Sequence, residues 1–274
     1  MTTGAMRYEA APARRRAILD RVRETGFCSI ADLAQELDVS EMTVRRDVRR
    51  LDELGAARVV HGGVSLPPGQ DFDTREHRNA GVKGMIAAAA RALIGPHDTI
   101  AVDAGTTAHA LAAALPDGFS GSVVTHSVPV MQLLLEREGA RCVGLGGDLY
   151  PASKAFVGPA TVEAATRLRV RWCFLGAAAV DDRGYYGVYD LERPTKRALV
   201  DIADHVVLLA DSSKFRSSAP VLLGRPDLLH SLITDAEPPA AIRRAYESQG
   251  VTVTVASGAT TSEGAFAAAD AAQA

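Results

Sequence analysis

Four arginines, Arg45, Arg46, Arg49 and Arg50, stand within six consecutive residues. Wound at about 100° per residue, the segment from Ser40 to Leu51 places Val44, Val48 and Leu51 on one helical face and the arginines, with Met42 and Thr43, on the opposite arc. A guanidinium is a planar fork of donors that matches the O6/N7 edge of guanine and phosphate oxygens, so such a helix suits the DNA major groove. A charged arc is more often a solvated face, but solvated faces interleave acids at helical spacing. Asp47 is the only acid between Thr43 and Leu51, and it sits off the basic arc.

A second set of reactive residues lies farther along the chain, each just after an apolar, strand-length run. Asp103, Gly105, Thr106 and Thr107 follow 99–102, His126 follows 122–125, Gly147 follows 141–145, Asp181 follows 170–175 and Lys214 follows 206–209. Two threonine hydroxyls and unpaired amides at a helix start can hold a phosphate, and a lysine at the same rim adds positive charge. Each element alone also has a bland reading: a capped turn, a solvated amine, a satisfied histidine. Their convergence on one rim favours a small phosphorylated ligand.

The elements that must position these groups fall into two units. In the first, an apolar-patterned helix at 15–25 (Ile18, Leu19, Val22) precedes a short helix opened by Ser29, with Asp32 as its capping-box partner. The turn Asp38-Val39-Ser40 leads to the basic helix, Ser40 capping it and adding a polar group beside the arginines. Residues 56–65 then read as a hairpin turning at Gly62-Gly63, a wing whose Arg58 and His61 can touch backbone or minor groove. In the second unit the runs 99–102, 122–125, 141–145, 170–175, 206–209 and 231–234 alternate with helical stretches at 82–93, 108–115, 128–136 and 195–203. That alternation predicts a Rossmann-like, mainly parallel α/β sheet, in which ligands bind beyond the carboxyl ends of the strands. The division is a disordered tail at 1–13, a winged helix-turn-helix at 14–66, a linker at 67–81 with semi-rigid Pro67-Pro68, an α/β effector-sensing domain at 82–256 and a disordered tail at 257–274.

Bulk properties agree. A chain of 274 residues, 47% hydrophobic, is long enough for a small domain and a full-sized one. Its net charge of −3 excludes whole-surface coating of nucleic acid, so DNA affinity must come from the local arginine patch. Cys28, Cys142 and Cys173 have no ligand-like spacing, which predicts ordinary buried thiols in a reduced cytoplasm and no metal. No secretory signal, membrane span or cofactor motif is evident.

The pattern Ser40-x-x-Thr43-Val44-Arg45-Arg46-Asp47-Val48-x-x-Leu51 with His61-Gly62-Gly63 resembles the DNA-binding signature of the DeoR family of bacterial transcriptional regulators. The second unit is similar through Asp103-x-Gly105-Thr106-Thr107, Gly146-Gly147, Phe156-Val157-Gly158, Lys196-Arg197-Ala198 and Asp211-Ser212-Ser213-Lys214-Phe215. The resemblance implies an oligomeric repressor, dimer or tetramer, acting on operator DNA. It also implies a sensor domain related in fold to ribose-5-phosphate isomerase and a sugar phosphate or polyol phosphate as effector. Thr106, Thr107 and Lys214 would serve the phosphate, Asp103 the hydroxyls, and Glu192 would be a further hydroxyl acceptor. Two positions depart from the family pattern: His126 stands where asparagine is common, and Pro194 where an acid is frequent. Nothing in the residues separates repressor from activator.

Two other functional classes are weighed. An isomerase working in the same crevice would need a positioned base. The related isomerases place a glutamate immediately before a lysine, where this chain has Thr195 before Lys196 and lacks the glycine run. Alternatively the second unit serves only to oligomerise the reader.

Overall fold

The computed structural model describes residues 3–60, 62–65 and 71–256. The DNA-reading unit contains α1 (Thr3–Thr25), β1 (Phe27–Ser29), α2 (Ile30–Glu36), α3 (Glu41–Glu53), β2 (Arg58–Val60) and β3 (Gly63–Ser65). Ile18 and Val22 of α1, Leu33 of α2, Val44, Val48 and Leu51 of α3 and Val64 of the wing form one small core. Both short helices are capped as their sequence demands: Ser29 Oγ accepts from the Asp32 amide at 3.0 Å and Ser40 Oγ from the Thr43 amide at 3.3 Å. Gly62, at φ +76°, makes the wing turn, a left-handed conformation that glycine adopts without steric cost.

Three boundaries differ from the sequence expectation. Helix α1 begins at Thr3, so residues 3–13 are helical rather than a tail; alanine and arginine are strong helix formers even without an amphipathic stripe. Residues expected as linker contain α4 (Asp71–His77), followed through a left-handed turn at Asn79 by α5 (Ala80–Arg91). A third strand, β1, joins the wing hairpin in the order β1-β3-β2. Pro67, Pro68 and the 257–274 tail lie outside the described residues.

The larger unit runs β4 (Thr99–Val102), α6 (Thr106–Ala113), β5 (Ser122–Thr125), α7 (Val128–Leu135), β6 (Arg141–Gly144), β7 (Asp148–Tyr150), β8 (Ala155–Val157), α8 (Pro159–Thr166) and β9 (Val170–Gly176). It continues with β10 (Ala179–Asp181), β11 (Gly184–Gly187), α9 (Arg193–Asp201), β12 (Ala203–Leu209), β13 (Val221–Gly224), β14 (Ser231–Thr234), α10 (Ala240–Glu247) and β15 (Thr252–Val255). Seven strands form one sheet in the order β15-β14-β12-β9-β4-β5-β6, and every neighbouring pair is parallel. Val and Leu on alternating sides of the central strands feed two cores, one on each sheet face. The chain leaves β4 toward β5 and β6 on one side, then returns at β9 to build the other side. This reversal opens a crevice at the carboxyl ends of β4 and β9. A small antiparallel sheet, β10-β11-β13, stands over that end.

Of the cysteines, Cys28 and Cys173 are buried, whereas Cys142 is exposed because β6 is the sheet edge. Among the described residues no helix is long and apolar enough to cross a membrane.

Candidate functional site

The basic face expected to read DNA is carried by α3. Val44, Val48 and Leu51 are buried, and Arg45, Arg46, Arg49 and Arg50 are exposed together with Met42, which is 71% exposed. Ser40 and Thr43 hold each other's hydroxyls at 2.9 Å while Ser40 caps the helix, so both stiffen the start of α3. Asp47 is buried against α1, where its carboxylate accepts from Arg14 Nε at 2.5 Å. The one acid inside the arginine run thus ties the helix to its scaffold instead of opposing DNA. Glu41 and Glu53, at the two ends, pair with Arg45 and Arg50 at 2.9 and 2.8 Å. Arg46 and Arg49 have no carboxylate partner among the described residues. Arg58 is exposed on the wing, and His61 lies outside the described residues.

The second site is the crevice at the switch point. From β4 the chain passes Asp103, Ala104 and Gly105 into α6. No side chain caps this helix, so Thr106 and Thr107 present amides and hydroxyls to the crevice. Gly105 packs beside β9, where a Cβ would sit in ordinary contact, 3.5 Å from the Gly176 backbone. Opposite stand Lys214, from the turn after β12, and Lys83 of α5, with Arg75 and Arg78 at the end of α4. Lys83 donates to the backbone carbonyls of Arg75 and Arg78, the latter at 2.7 Å, and so fixes the turn that carries both guanidinium groups. Burial, and then the neighbouring Lys214, push the Lys83 ammonium down to about 8. Burial likewise lowers Lys214, with Asp211 opposing and Arg75 and Arg78 reinforcing the shift. These four cations share one crevice with the Asp211 carboxylate, 3.8 Å from Lys214, and Lys196 is a fifth. Ser153 also lines it, and its buried hydroxyl has no hydrogen-bond partner among the described residues.

Beneath this basic mouth lies a closed network. Asp103 is fully buried and its oxygens are occupied: Oδ2 accepts from the Gly176 amide at 2.9 Å and from Lys196, and Oδ1 faces His126 Nε2 at 3.1 Å. Burial opposes its ionisation, but Lys196 and the His126 contact outweigh this and hold the carboxyl well below the usual carboxylate range. His126 Nδ1 faces the Phe156 carbonyl at 2.9 Å. Both ring nitrogens therefore face oxygen atoms, which fixes the ring in place. Asp103 is consequently an organiser of Lys196 and His126. It does not line the crevice, so the expectation that it binds ligand hydroxyls is corrected. Sequence reading missed this because the partners lie 23 and 93 residues away.

Glu192 and Lys196 do line the crevice, carried by the start of α9, where Pro194 occupies the first turn and costs no helical hydrogen bond. Two expected residues are elsewhere. Gly147, at φ +133°, is packed against α8, where a Cβ would fall 2.1 Å from Thr161 Oγ1; the glycine is there for packing. Asp181 closes the β10–β11 turn, accepting from the amides of Arg183 and Gly184 at 2.8 and 3.0 Å, and does not face the crevice. Thr195, which precedes Lys196, is buried, and its hydroxyl has no hydrogen-bond partner among the described residues.

Comparison with known proteins agrees with this layout. A DeoR-like helix-turn-helix domain matches residues 14–68 and a DeoR C terminal sensor domain matches residues 78–236. The glycerol-3-phosphate regulon repressor of Escherichia coli is 30% identical over 84% of this chain and 92% of its own length. The L-fucose operon activator of Haemophilus influenzae is 28% identical over 85% of this chain and 96% of its own. Ribose 5-phosphate isomerase A of Methanocaldococcus jannaschii overlays 50% of this chain and 54% of its own at 19% identity, with a TM-score of 0.37 that bears no weight on function. With both domain matches in chain order and relatives aligned over most of the chain, the chain belongs to the DeoR family of transcriptional regulators.

Proposed function

We propose that this protein is a transcriptional repressor that reads operator DNA through α3 and the wing, and is controlled by a phosphorylated sugar or polyol bound in the crevice between β4 and β9. The observation that carries the effector half is the uncapped start of α6 facing Arg75, Arg78, Lys83 and Lys214 in one crevice. A helix N-terminus and a ring of cations, Lys83 buried and Arg75, Arg78 and Lys214 half-buried, favour a dianionic group. Thr106, Thr107 and Lys214 take the phosphate; Lys196, Glu192 and the unpartnered Ser153 hydroxyl take the carbon-bound hydroxyls. The protein acts as a homo-oligomer, dimer or tetramer, that presents paired recognition helices to operator half-sites.

Isomerase chemistry is not favoured, because a buried threonine cannot act as the carboxylate base and Lys196 is engaged by Asp103.

The name of the Escherichia coli relative makes glycerol 3-phosphate the first compound to test. A thermal-shift panel of glycerol 3-phosphate, other sugar phosphates and the matching free sugars is expected to show selective stabilisation by a phosphorylated member. At a hundredfold excess over Kd the gain is about 2.7 kcal/mol. The same compound should change operator affinity by about 5- to 150-fold. Stabilisation by free sugars alone would refute the phosphate site.

A further inference from the structure

The roof of the crevice comes from the DNA-reading domain. Thr25 and Gly26, where α1 ends, line it beside Arg75 and Arg78. Gly26 takes φ +82°, a conformation that favours glycine, and its backbone runs beside Arg75, whose Cδ would be in ordinary contact with a Cβ there at 3.5 Å. The reader is also seated on the sensor domain by side-chain contacts. Away from the crevice, Ser218 Oγ donates to Asp32 Oδ2 of α2 at 2.7 Å; at its edge, where Tyr189 lines it, the hydroxyls of Ser65 and Tyr189 meet at 3.3 Å. The wing turn packs near Pro220. Throughout this seating the arginine face of α3 stays exposed.

We propose that the DNA-reading domain is itself a wall of the effector site, so that an anionic ligand staples the reader to the sensor domain and fixes its orientation without covering its DNA-contacting face. This rests on the crevice being the phosphate site proposed above. The α6 amides and Lys214 hold the anion from the sensor side. Arg75, Arg78 and the Thr25–Gly26 turn close over it from the other. Without an anion, cations crowded around Asp211 repel one another and loosen this seating; a dianion reverses the sign of that interaction. Binding and seating are then linked, and each must strengthen the other by the same factor. In an oligomer the fixed orientation sets the separation of two recognition helices, which must match half-sites about one DNA turn, roughly 34 Å, apart.

The test perturbs the seating at a point outside the crevice. Ser218→Asp sets a like charge against Asp32 on an exposed surface, and Asp32→Lys in the same chain restores attraction. Glycerol 3-phosphate and inorganic phosphate are titrated calorimetrically into full-length wild type, the single variant and the pair. Affinity for the phosphorylated probe is expected to fall at least about fivefold in Ser218→Asp and to recover in the pair. Equal affinity in wild type and Ser218→Asp, or no recovery in the pair, would overturn the staple while leaving the phosphate site intact. Failure of wild type to bind any phosphorylated probe would overturn both.

Discussion

His126 Nε2 lies 3.1 Å from Asp103 Oδ1, beneath the crevice. On the other side of the same carboxylate, Lys196 donates to Oδ2. Asp103 therefore joins β4 to β5 through His126 and to α9 through Lys196, across the point where strand order reverses. The ligand would rest on side chains oriented by a residue it does not touch.

Asp103→Asn should consequently act on stability first. Removing one partner of a buried ion pair leaves the Lys196 charge uncompensated, a loss of about 3–5 kcal/mol. The folded carboxyl is held well below its unfolded value, so its stabilisation is fully present above about pH 4 and fades as pH falls below that. Urea denaturation should show a wild-type advantage that is level from pH 5 to 7 and shrinks between pH 4 and 3. A difference that stays level down to pH 3 would mean the pairing does not stabilise the fold.

Lys83 gives the crevice a pH dependence of opposite sense. Its ammonium sits at about 8, and a bound dianion favours the charged form. Binding therefore takes up protons near pH 8, and affinity for glycerol 3-phosphate should decline as pH rises from 7.5 to 9.5. Calorimetry at pH 8 in two buffers of different ionisation enthalpy should detect that uptake. Identical heats in both buffers, with affinity constant over the range, would exclude Lys83 from the ligand's electrostatic environment.

What the sequence made legible, and what it hid, follows from the range of each interaction. The two faces of α3 are local, and their apolar and basic residues segregate at helical spacing. All six expected parallel strands exist, because each carries a continuous apolar run; β15, an edge strand with two of its four residues exposed, lacked that signal. The Gly105-Thr106-Thr107 turn announced the start of α6. By contrast, the saturation of Asp103 depends on residues brought in by other elements, so its place after β4 alone suggests a ligand contact. Arg75 and Arg78 fall in a linker by sequence, since α4 is only seven residues long and follows a proline-rich stretch. The place of Gly147 after a strand suggests the rim, but its positive φ and contact with Thr161 depend on α8.

Gly147→Ala separates packing from binding. A methyl group there would meet Thr161 Oγ1 at 2.1 Å and the Val157 carbonyl at 2.8 Å, on backbone strained for any side chain. The expected cost is about 1–3 kcal/mol in denaturant unfolding. Glycerol 3-phosphate affinity of the folded fraction should not change. An affinity loss without a stability loss would return Gly147 to the effector site.

Glu41 offers a test of the DNA face that leaves its arginines in place. The Arg45 guanidinium lies 2.9 Å from Glu41, both groups more than half exposed, so the pair contributes little to folding. Near a phosphate backbone, however, Glu41 competes for Arg45 and adds a repelling charge. Glu41→Gln should tighten binding to every duplex alike and steepen the salt dependence by up to about one ion, read by fluorescence anisotropy across a salt series. Arg46→Gln, which removes an arginine with no carboxylate partner, should weaken binding. If Arg46 meets only phosphate, the salt slope falls by about one on all sequences; if it reads a base, discrimination relaxes at one operator position. An unchanged isotherm in both variants would show that this face of α3 does not meet DNA.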